Sequence, residues 1–176
     1  MVNKYSYAKN AALVGIMAAT VECGKLALMA LPNIEVVTLL LALYSYVFGW
    51  MGIAAAAVFV VIEPLIYGFG SWVISYLIYW PLLSFVFALF GRLRLKNRIL
   101  ITLTAVLMTC LFGVISSLVD VGLFSGSFDN FFYRFGLYYL RGIPFYLLQT
   151  GCNFGLFLVA FPFLARKLCE MKGKML

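Results

Sequence analysis

The stretch SWVISYLIYWPLLSFVFALFGRLRLKNR, residues 71–98, predicts the fold class of the whole chain. Its apolar run, residues 71–91, is long enough for a membrane helix, which needs about 20 apolar residues to cross the hydrocarbon core. Its last part is a short basic loop that carries Arg92, Arg94, Lys96 and Arg98. A long apolar run that ends in a short basic loop is typical of a spanning helix followed by a cytoplasmic loop.

The composition of the chain extends this interpretation to all 176 residues, of which 65% are hydrophobic and 11% are charged. A soluble domain is nearer to about half apolar and about a quarter charged. The net charge of +7 does not indicate a nucleic-acid-binding protein, because the basic residues form short patches between apolar runs. We therefore expect an all-α membrane protein, folded as one compact domain.

Several kinds of chemistry are not expected from this sequence. The chain has no histidine, which is the commonest general base and metal ligand, and no GxxxxGK[ST] motif for nucleotide hydrolysis. The four cysteines, at positions 23, 110, 152 and 169, do not have the spacing of a metal site. The sequence predicts no enzyme, no metal and no cofactor.

Six apolar runs indicate six spans, at roughly 10–30, 35–49, 53–68, 71–91, 99–122 and 136–165. The first is interrupted by Glu22 and Lys25, so we expect a spanning helix there and no cleaved signal peptide. Ten of the basic residues lie at the ends of the chain and in the loop after the fourth span. Basic loops stay in the cytoplasm, so both termini are predicted to be cytoplasmic. These ten residues are Lys4, Lys9, Arg92, Arg94, Lys96, Arg98, Arg166, Lys167, Lys172 and Lys174.

With six spans, most carboxylates fall in the opposite, outer half of the bundle. They are Glu22, Glu35, Glu63, Asp120 and Asp129. A charge near the middle of a bilayer is unfavourable by several kcal/mol unless it is paired or hydrated. The sequence therefore predicts a polar, water-accessible pocket in the outer half.

The structural reasons for these carboxylates differ. Glu63 and Asp120 stand near helix C-termini, where a carboxylate is unfavourable, so both are predicted to bind substrate. Glu35 lies in the first turn of the second span, where capping and ligand binding are both open. Glu22 and Lys25 are three residues apart and can neutralise each other. Further along the chain, Arg141 can pair with Asp120 or Glu63, or receive an anionic group of a ligand.

Two further sets of side chains are predicted to line the pocket. Trp72, Tyr76 and Trp80 recur every four residues along the fourth span. They form either a stacking wall for a planar or cationic ring or an interfacial belt with internal packing. Gln149 and Asn153 are also four residues apart, in the sixth span, and make either interhelical hydrogen bonds or ligand contacts.

Ala11, Gly15 and Ala19 form a stripe of small residues along the first span. Small residues repeated every four positions let another helix approach closely. The stripe therefore either packs inside the bundle or docks a partner.

The chain resembles the substrate-binding S component of an energy-coupling factor (ECF) transporter. The likeness rests on a chain of under 200 residues, six predicted helices with both ends inside and the small stripe of the first helix. It also rests on the segment LPNIEVVT, residues 31–38, on FGWMG, residues 48–52, and on the aromatic, polar outer end.

The resemblance implies a protein of the bacterial plasma membrane that binds a small micronutrient, such as a vitamin or related heterocycle, at its outer face. It implies partners as well: a membrane coupling subunit and two ATPase subunits that power uptake. Ala11, Gly15 and Ala19 would then dock the coupling subunit. Surplus carboxylate with Trp and Tyr suits a flat, partly cationic heterocycle. The alternative is a structural multi-pass membrane protein related to the rod-shape protein MreD; a membrane enzyme is less favoured.

Overall fold

A computed structural model of the chain describes residues 4–31, 34–124 and 129–175; for residues 4–6 and 175 it describes the backbone alone. All secondary structure in these ranges is helical, as the sequence predicts. Two residues of the LPNIEVVT segment, Pro32 and Asn33, lie outside the described ranges. The helices are α1 Lys4–Ala27, α2 Val37–Phe48, α3 Trp50–Tyr67, α4 Ser71–Arg92, α5 Arg98–Leu123 and α6 Phe131–Met175.

Four described helices, α3 to α6, are long and apolar enough to cross a membrane. Many large apolar side chains on them face outward; Leu107 and Val159, for example, are 67% and 71% exposed. Such surfaces suit a lipid environment. By contrast, α2 has 12 residues and is about 18 Å long, short of a hydrocarbon core of about 30 Å. That α1 and α2 also span the membrane stays a prediction.

Successive helices run back and forth between two ends of the bundle. The end of α1 lies beside the start of α2. A Cβ added at Gly24 would stand only 2.8 Å from the Val36 side chain. The end of α1 also meets the end of α3 through an ion pair between Lys25 and Glu63. We call this the acidic end, defined by Glu22, Glu35 and Glu63.

Residues 92–98 and 166–174 lie together at the opposite end, which we call the basic end. Tyr46 of α2 donates a hydrogen bond to the carbonyl of Leu95 over 2.7 Å. Lys172 of α6 donates to the carbonyl of Val47, also over 2.7 Å. The separation of acidic from basic charge that the sequence predicts is therefore present in the fold.

The connection between α2 and α3 is shorter than the sequence suggests. The predicted spans 35–49 and 53–68 leave residues 50–52 between them, yet α3 begins at Trp50. Gly49 alone makes the reversal, with φ of 63°, a value that favours glycine. Gly52 then sits against α2, where an added Cβ would stand 2.4 Å from the Ser45 backbone. The missing side chain lets the two helices touch immediately after the turn.

The last helix is longer than predicted, with 45 residues in place of the span 136–165. Pro144 and Pro162 lie inside it without ending it, although each proline removes one helical hydrogen bond. Antiparallel packing on α5 fixes its register: Asn153 bonds Thr109, and Tyr146 lies against Gly113. The register brings the polar middle of α6 into the bundle at the acidic end.

Candidate functional site

The carboxylate of Glu35 joins two helices at the acidic end. Glu35 lies two residues before α2 and accepts hydrogen bonds from the Thr38 backbone N–H, over 2.9 Å, and from the Thr38 hydroxyl. It therefore caps α2, one of the two roles that its position predicts. It also accepts from the side-chain amides of Gln149 and Asn153 of α6, each over 3.3 Å. One carboxylate thus holds α2 against α6.

Asn153 extends this network to α5. Its side-chain N–H₂ also donates to the Thr109 hydroxyl over 3.0 Å, and that hydroxyl donates to the carbonyl of Ala105 over 2.9 Å. Asn153 is fully buried, and its Oδ1 has no hydrogen-bond partner among the described residues. Of the two predicted roles, the interhelical bonds are present, and the free oxygen leaves room for the other.

A second cluster surrounds the ammonium group of Lys25. Lys25 pairs with Glu63 on α3, so the predicted neutralisation of Lys25 by Glu22 is wrong. Glu22 instead accepts a hydrogen bond from the Tyr67 hydroxyl over 3.2 Å. The Lys25 Nζ lies 4.1 Å from the centroid of the Tyr67 ring and 5.9 Å from that of Tyr76. These distances fit a cation held by carboxylates and aromatic faces together.

Glu63 and Glu22 each keep a free acceptor. The Glu63 side chain is 1% exposed, and neither its Oε1 nor the Oε2 of Glu22 has a donor among the described residues. The two carboxylates lie beside each other. Repulsion between such groups is relieved when a proton or a cationic group lies nearby.

The predicted aromatic row is a set of rings in mutual contact. Trp72 meets Tyr76 edge to face at 5.2 Å between centroids, and Tyr76 meets Trp80 in the same way at 5.5 Å. Trp80 is 4% exposed and packs on Phe59 and Phe112, so it belongs to the core. Trp72 and Tyr76 are only half-buried. Of the three rings, these two are the ones available to a ligand.

Tyr76 connects the two polar clusters. Its hydroxyl lies within the electrostatic field of Glu63, Glu35 and Glu22. Behind it, the fully buried Tyr79 lies beside Thr38 and Thr109 of the first cluster. The glutamates and their polar neighbours therefore form one continuous site at the acidic end.

Asp120 and Arg141 do not join this site in the structure. Asp120 is half-buried near the end of α5, and Arg141 is exposed on α6. Within the described ranges, Arg141 forms an ion pair with neither Asp120 nor Glu63, and the partner of Glu63 is Lys25. Of the two roles left open for Arg141, pairing is not observed, and contact with an anionic ligand group stays a prediction.

Sequence reasoning did not single out Thr38, Thr109 or Tyr67 as members of the site. A signal was present for Thr38, which follows Glu35 by three residues, the spacing of a side-chain cap. Thr109 is a polar residue within an apolar helix, a position where interhelical hydrogen bonding is common. Tyr67 carried no comparable signal, because its role depends on α1 and α3 ending side by side.

Buried polar atoms without partners gather around the site. In native proteins the large majority of such atoms are hydrogen-bonded, so a group of exceptions at one place points to a missing ligand, ion or water. The acidic end holds three glutamates, Glu22, Glu35 and Glu63, and the single lysine Lys25, which gives an excess of two negative charges when all are ionised. Among the described residues, the unpartnered atoms that belong to this site are Glu22 Oε2, Glu63 Oε1 and Asn153 Oδ1.

The small stripe of α1 faces away from the bundle. Ala11, Gly15 and Ala19 are all exposed, and a Cβ added at Gly15 would meet nothing within 4 Å. Ala55 and Ala56 of α3 differ from them, since both are fully buried. Internal packing therefore does not account for the stripe on α1.

Comparison of the chain with family models, with curated proteins and with solved structures gave no match.

Proposed function

We propose that the protein is the substrate-binding S component of an ECF transporter in the bacterial plasma membrane. In this proposal six helices span the membrane, both termini are cytoplasmic and the acidic end faces outward. The protein captures a micronutrient there, and partner ATPases supply the energy for uptake. The observation that supports the proposal best is the buried carboxylate of Glu63 with the half-buried carboxylates of Glu22 and Glu35 and the unpartnered polar atoms at one end of a largely apolar bundle.

The chemistry of the site favours a flat ligand with a cationic or hydrogen-bond-donating nitrogen. Glu22 and Glu63 offer free carboxylate oxygens, and Asn153 offers a free amide oxygen, so the unpartnered groups are mostly acceptors. The half-buried rings of Trp72 and Tyr76 adjoin them and suit a planar heterocycle. A vitamin or vitamin precursor with a charged ring nitrogen has both features.

The exposed stripe on α1 supports the assignment of partners. Ala11, Gly15 and Ala19 present a surface on which another helix can approach closely. We assign this surface to the membrane coupling subunit of an ECF module. The two ATPases would then act through that subunit.

The test is to purify the full chain from membranes of its native host and identify what accompanies it. Native mass spectrometry is expected to find one small molecule per chain, and mild extraction is expected to recover a coupling subunit. The same molecule should bind the stripped protein without ATP, observed as a change in tryptophan fluorescence. A chain with no bound molecule, no binding of any vitamin or precursor in a broad panel and no coupling subunit would contradict the proposal.

A matched pair of variants tests the place of binding. Glu22→Gln removes one charge from the site, and the amide still accepts from Tyr67, so the fold should persist. Glu170→Gln removes the same charge at the basic end. We expect the affinity for the recovered ligand to fall about tenfold or more in Glu22→Gln, the effect of losing one charged hydrogen bond, and to be unchanged in Glu170→Gln. Equal affinities in the two variants would place the ligand elsewhere.

A further inference from the structure

A cavity of about 550 Å³ opens at the basic end, where α5 and α6 meet the α4–α5 loop. Its floor is apolar and buried: Ile101, Phe157 and Phe161 are 5%, 0% and 1% exposed. Ala165 of α6 also lines it and, being small, leaves space above the rings. The floor is the kind of surface that hydrocarbon covers favourably.

The rim of this cavity is cationic. Lys96 and Arg98 come from the loop side, and Arg166 comes from α6. Glu170 is the acidic residue of the lining, and it already bonds Arg166 over 3.1 Å and lies 3.6 Å from Lys167. Within the described ranges Lys96 and Arg98 take part in no ion pair. Two cations therefore border an apolar cavity whose one described acid, Glu170, pairs with other basic residues.

The fold holds this basic loop in place. Asn97, between the two cations, caps α5 by accepting from the Leu100 N–H over 3.1 Å. Tyr46 of α2 donates to the carbonyl of Leu95, one residue before Lys96. The loop begins where Gly91 meets Tyr46, so closely that an added Cβ would stand 1.9 Å from the Tyr46 carbonyl oxygen. The hydrogen bonds of Leu95 and Asn97 therefore hold the backbone beside Lys96 and Arg98 in place.

A second cavity of about 510 Å³ shares Tyr46, Lys96 and Cys169 with the first. It adds Arg94 and Lys172 to the same basic surface, and its lining contains no acidic residue. The positive charge is therefore continuous across both cavities. A solvent-exposed basic loop is enough to orient a protein in the membrane. Orientation alone does not explain why these basic residues border an apolar cavity.

We propose that the cavity bordered by Lys96, Arg98 and Arg166 binds the phosphate headgroup of an anionic phospholipid. The phosphate lies among the three cations, and the first methylenes of the lipid chains lie on Phe157 and Phe161. A free anion would leave this apolar floor uncovered, whereas a phospholipid satisfies floor and rim together. Basic pockets between membrane helices bind anionic headgroups in this way.

The outer faces of the two helices allow the acyl chains to continue into the bilayer. Leu100 of α5 is 44% exposed and Phe163 of α6 is 62% exposed, so apolar surface extends from the cavity region. The lipid would connect the α4–α5 loop to the end of α6. The inference does not depend on what binds at the acidic end.

The full chain in mild detergent, mixed with equal amounts of palmitoyl-oleoyl phosphatidylglycerol and phosphatidylcholine, tests this by native mass spectrometry. The two lipids share their chains and differ in net charge. We expect phosphatidylglycerol to be retained about fivefold or more over phosphatidylcholine, the contribution of a single nearby cation. The Lys96→Gln/Arg98→Gln variant should reduce this ratio to near one.

Two further variants separate the cavity from general surface charge. Lys167→Gln/Lys174→Gln removes the same charge from exposed positions outside both linings and should keep the preference. Ala165→Leu changes no charge but fills the floor and should weaken phosphatidylglycerol retention. Equal retention of the two lipids by the wild type would overturn the inference. So would equal losses in the two double variants, or displacement of the lipid by inorganic phosphate or by an acidic peptide.

Discussion

The ammonium group of Lys25 on α1 forms an ion pair with the carboxylate of Glu63 on α3, whose side chain is 1% exposed. The ion pair joins the ends of α1 and α3, the helices that contain Glu22 and Glu63. It leaves one Glu63 oxygen without a partner, beside the equally unpartnered Oε2 of Glu22. Lys25 therefore pairs with only one of the two neighbouring carboxylates. An excess of negative charge remains at the acidic end.

Removing the lysine should destabilise the bundle more than its partial exposure suggests. Lys25→Met leaves Glu63 buried without a cation, and breaking one side of a buried pair lowers the free energy of unfolding by about 3 kcal/mol. We expect the melting temperature in detergent to fall by roughly 10 °C. The matched control Lys174→Met removes an exposed lysine at the basic end. It should change the melting temperature little.

The double variant Lys25→Met/Glu63→Leu tests the reason for that loss. Replacement of a buried ion pair by apolar side chains of similar size is often neutral or stabilising. The double variant should therefore recover most of the melting temperature that Lys25→Met loses. If the double variant is less stable than Lys25→Met, the pair contributes in some way other than charge compensation.

The Glu35 network predicts a ranking of two substitutions. Glu35→Gln removes a charged acceptor shared by Thr38, Gln149 and Asn153, and turns one oxygen into a donor that faces donors. Each bond to a charged group contributes about 1.5–3 kcal/mol; Glu35→Gln disturbs all of these bonds, whereas Gln149→Ala removes one of them. Glu35→Gln should thus destabilise about twice as much as Gln149→Ala.

The measurement for this ranking combines thermal unfolding with hydrogen exchange. Glu35→Gln should speed exchange of the Thr38 amide, because that N–H loses its charged acceptor at the start of α2. Gln149→Ala should leave the same amide protected. Equal exchange of Thr38 in the two variants would show that Glu35 does not cap the helix.

The tryptophans of α4 should separate stability from binding. Trp80 is 4% exposed and packs on Phe59 and Phe112, so Trp80→Ala should lower the free energy of unfolding by about 3–5 kcal/mol. Trp72 is half-buried and should affect unfolding much less. If Trp72 stacks on a ligand, Trp72→Ala should weaken binding by up to about tenfold.

Fluorescence titration with the ligand recovered from the native protein, alongside melting curves, checks both expectations. The control is Trp50→Ala, because Trp50 lies at the basic end and is 64% exposed. Neither the ligand affinity nor the melting temperature should change much in this variant. A Trp72→Ala protein that melts as early as Trp80→Ala would make Trp72 a core residue and remove it from the proposed site.

The sequence was sufficient for the helical class and for the place of the acidic groups. Apolar runs define helices because a bilayer or a helical core needs lengths of about 20 residues. The bounds of α3, α4 and α5 accordingly agree with the predicted spans within a few residues. The end of α6 was missed, because its last turns are polar and stabilised by local pairs such as Arg166 with Glu170.

The partners of individual charges could not be predicted in the same way. Local spacing favoured Glu22 as the partner of Lys25, since both lie on one helix face. In the structure Lys25 pairs with Glu63, because α1 and α3 end side by side. The spacing of residues along the chain does not indicate this contact. The absence of a pair between Arg141 and Asp120 or Glu63 in the described ranges has the same reason: the register of α6 leaves Arg141 exposed. Pairings across helices depend on packing, whereas caps such as Glu35 with Thr38 depend on neighbours in sequence.

The exposed stripe on α1 leads to a prediction that concerns partners alone. A side chain added at Gly15 meets nothing within 4 Å, so Gly15→Leu should leave the melting temperature and ligand affinity of the isolated chain unchanged. The same bulk would keep a partner helix from approaching the small residues of α1. We therefore expect Gly15→Leu to lose its coupling subunit during mild purification and to abolish uptake in cells.

Gly155 on α6 provides the matched control, because an added Cβ there also meets nothing within 4 Å. Gly155→Leu introduces the same side chain on another exposed helix face and should retain the coupling subunit. If both variants retain the subunit and support uptake, the stripe is not the docking surface. If both lose it equally, the coupling subunit contacts more of the bundle than α1, and the stripe has no special role.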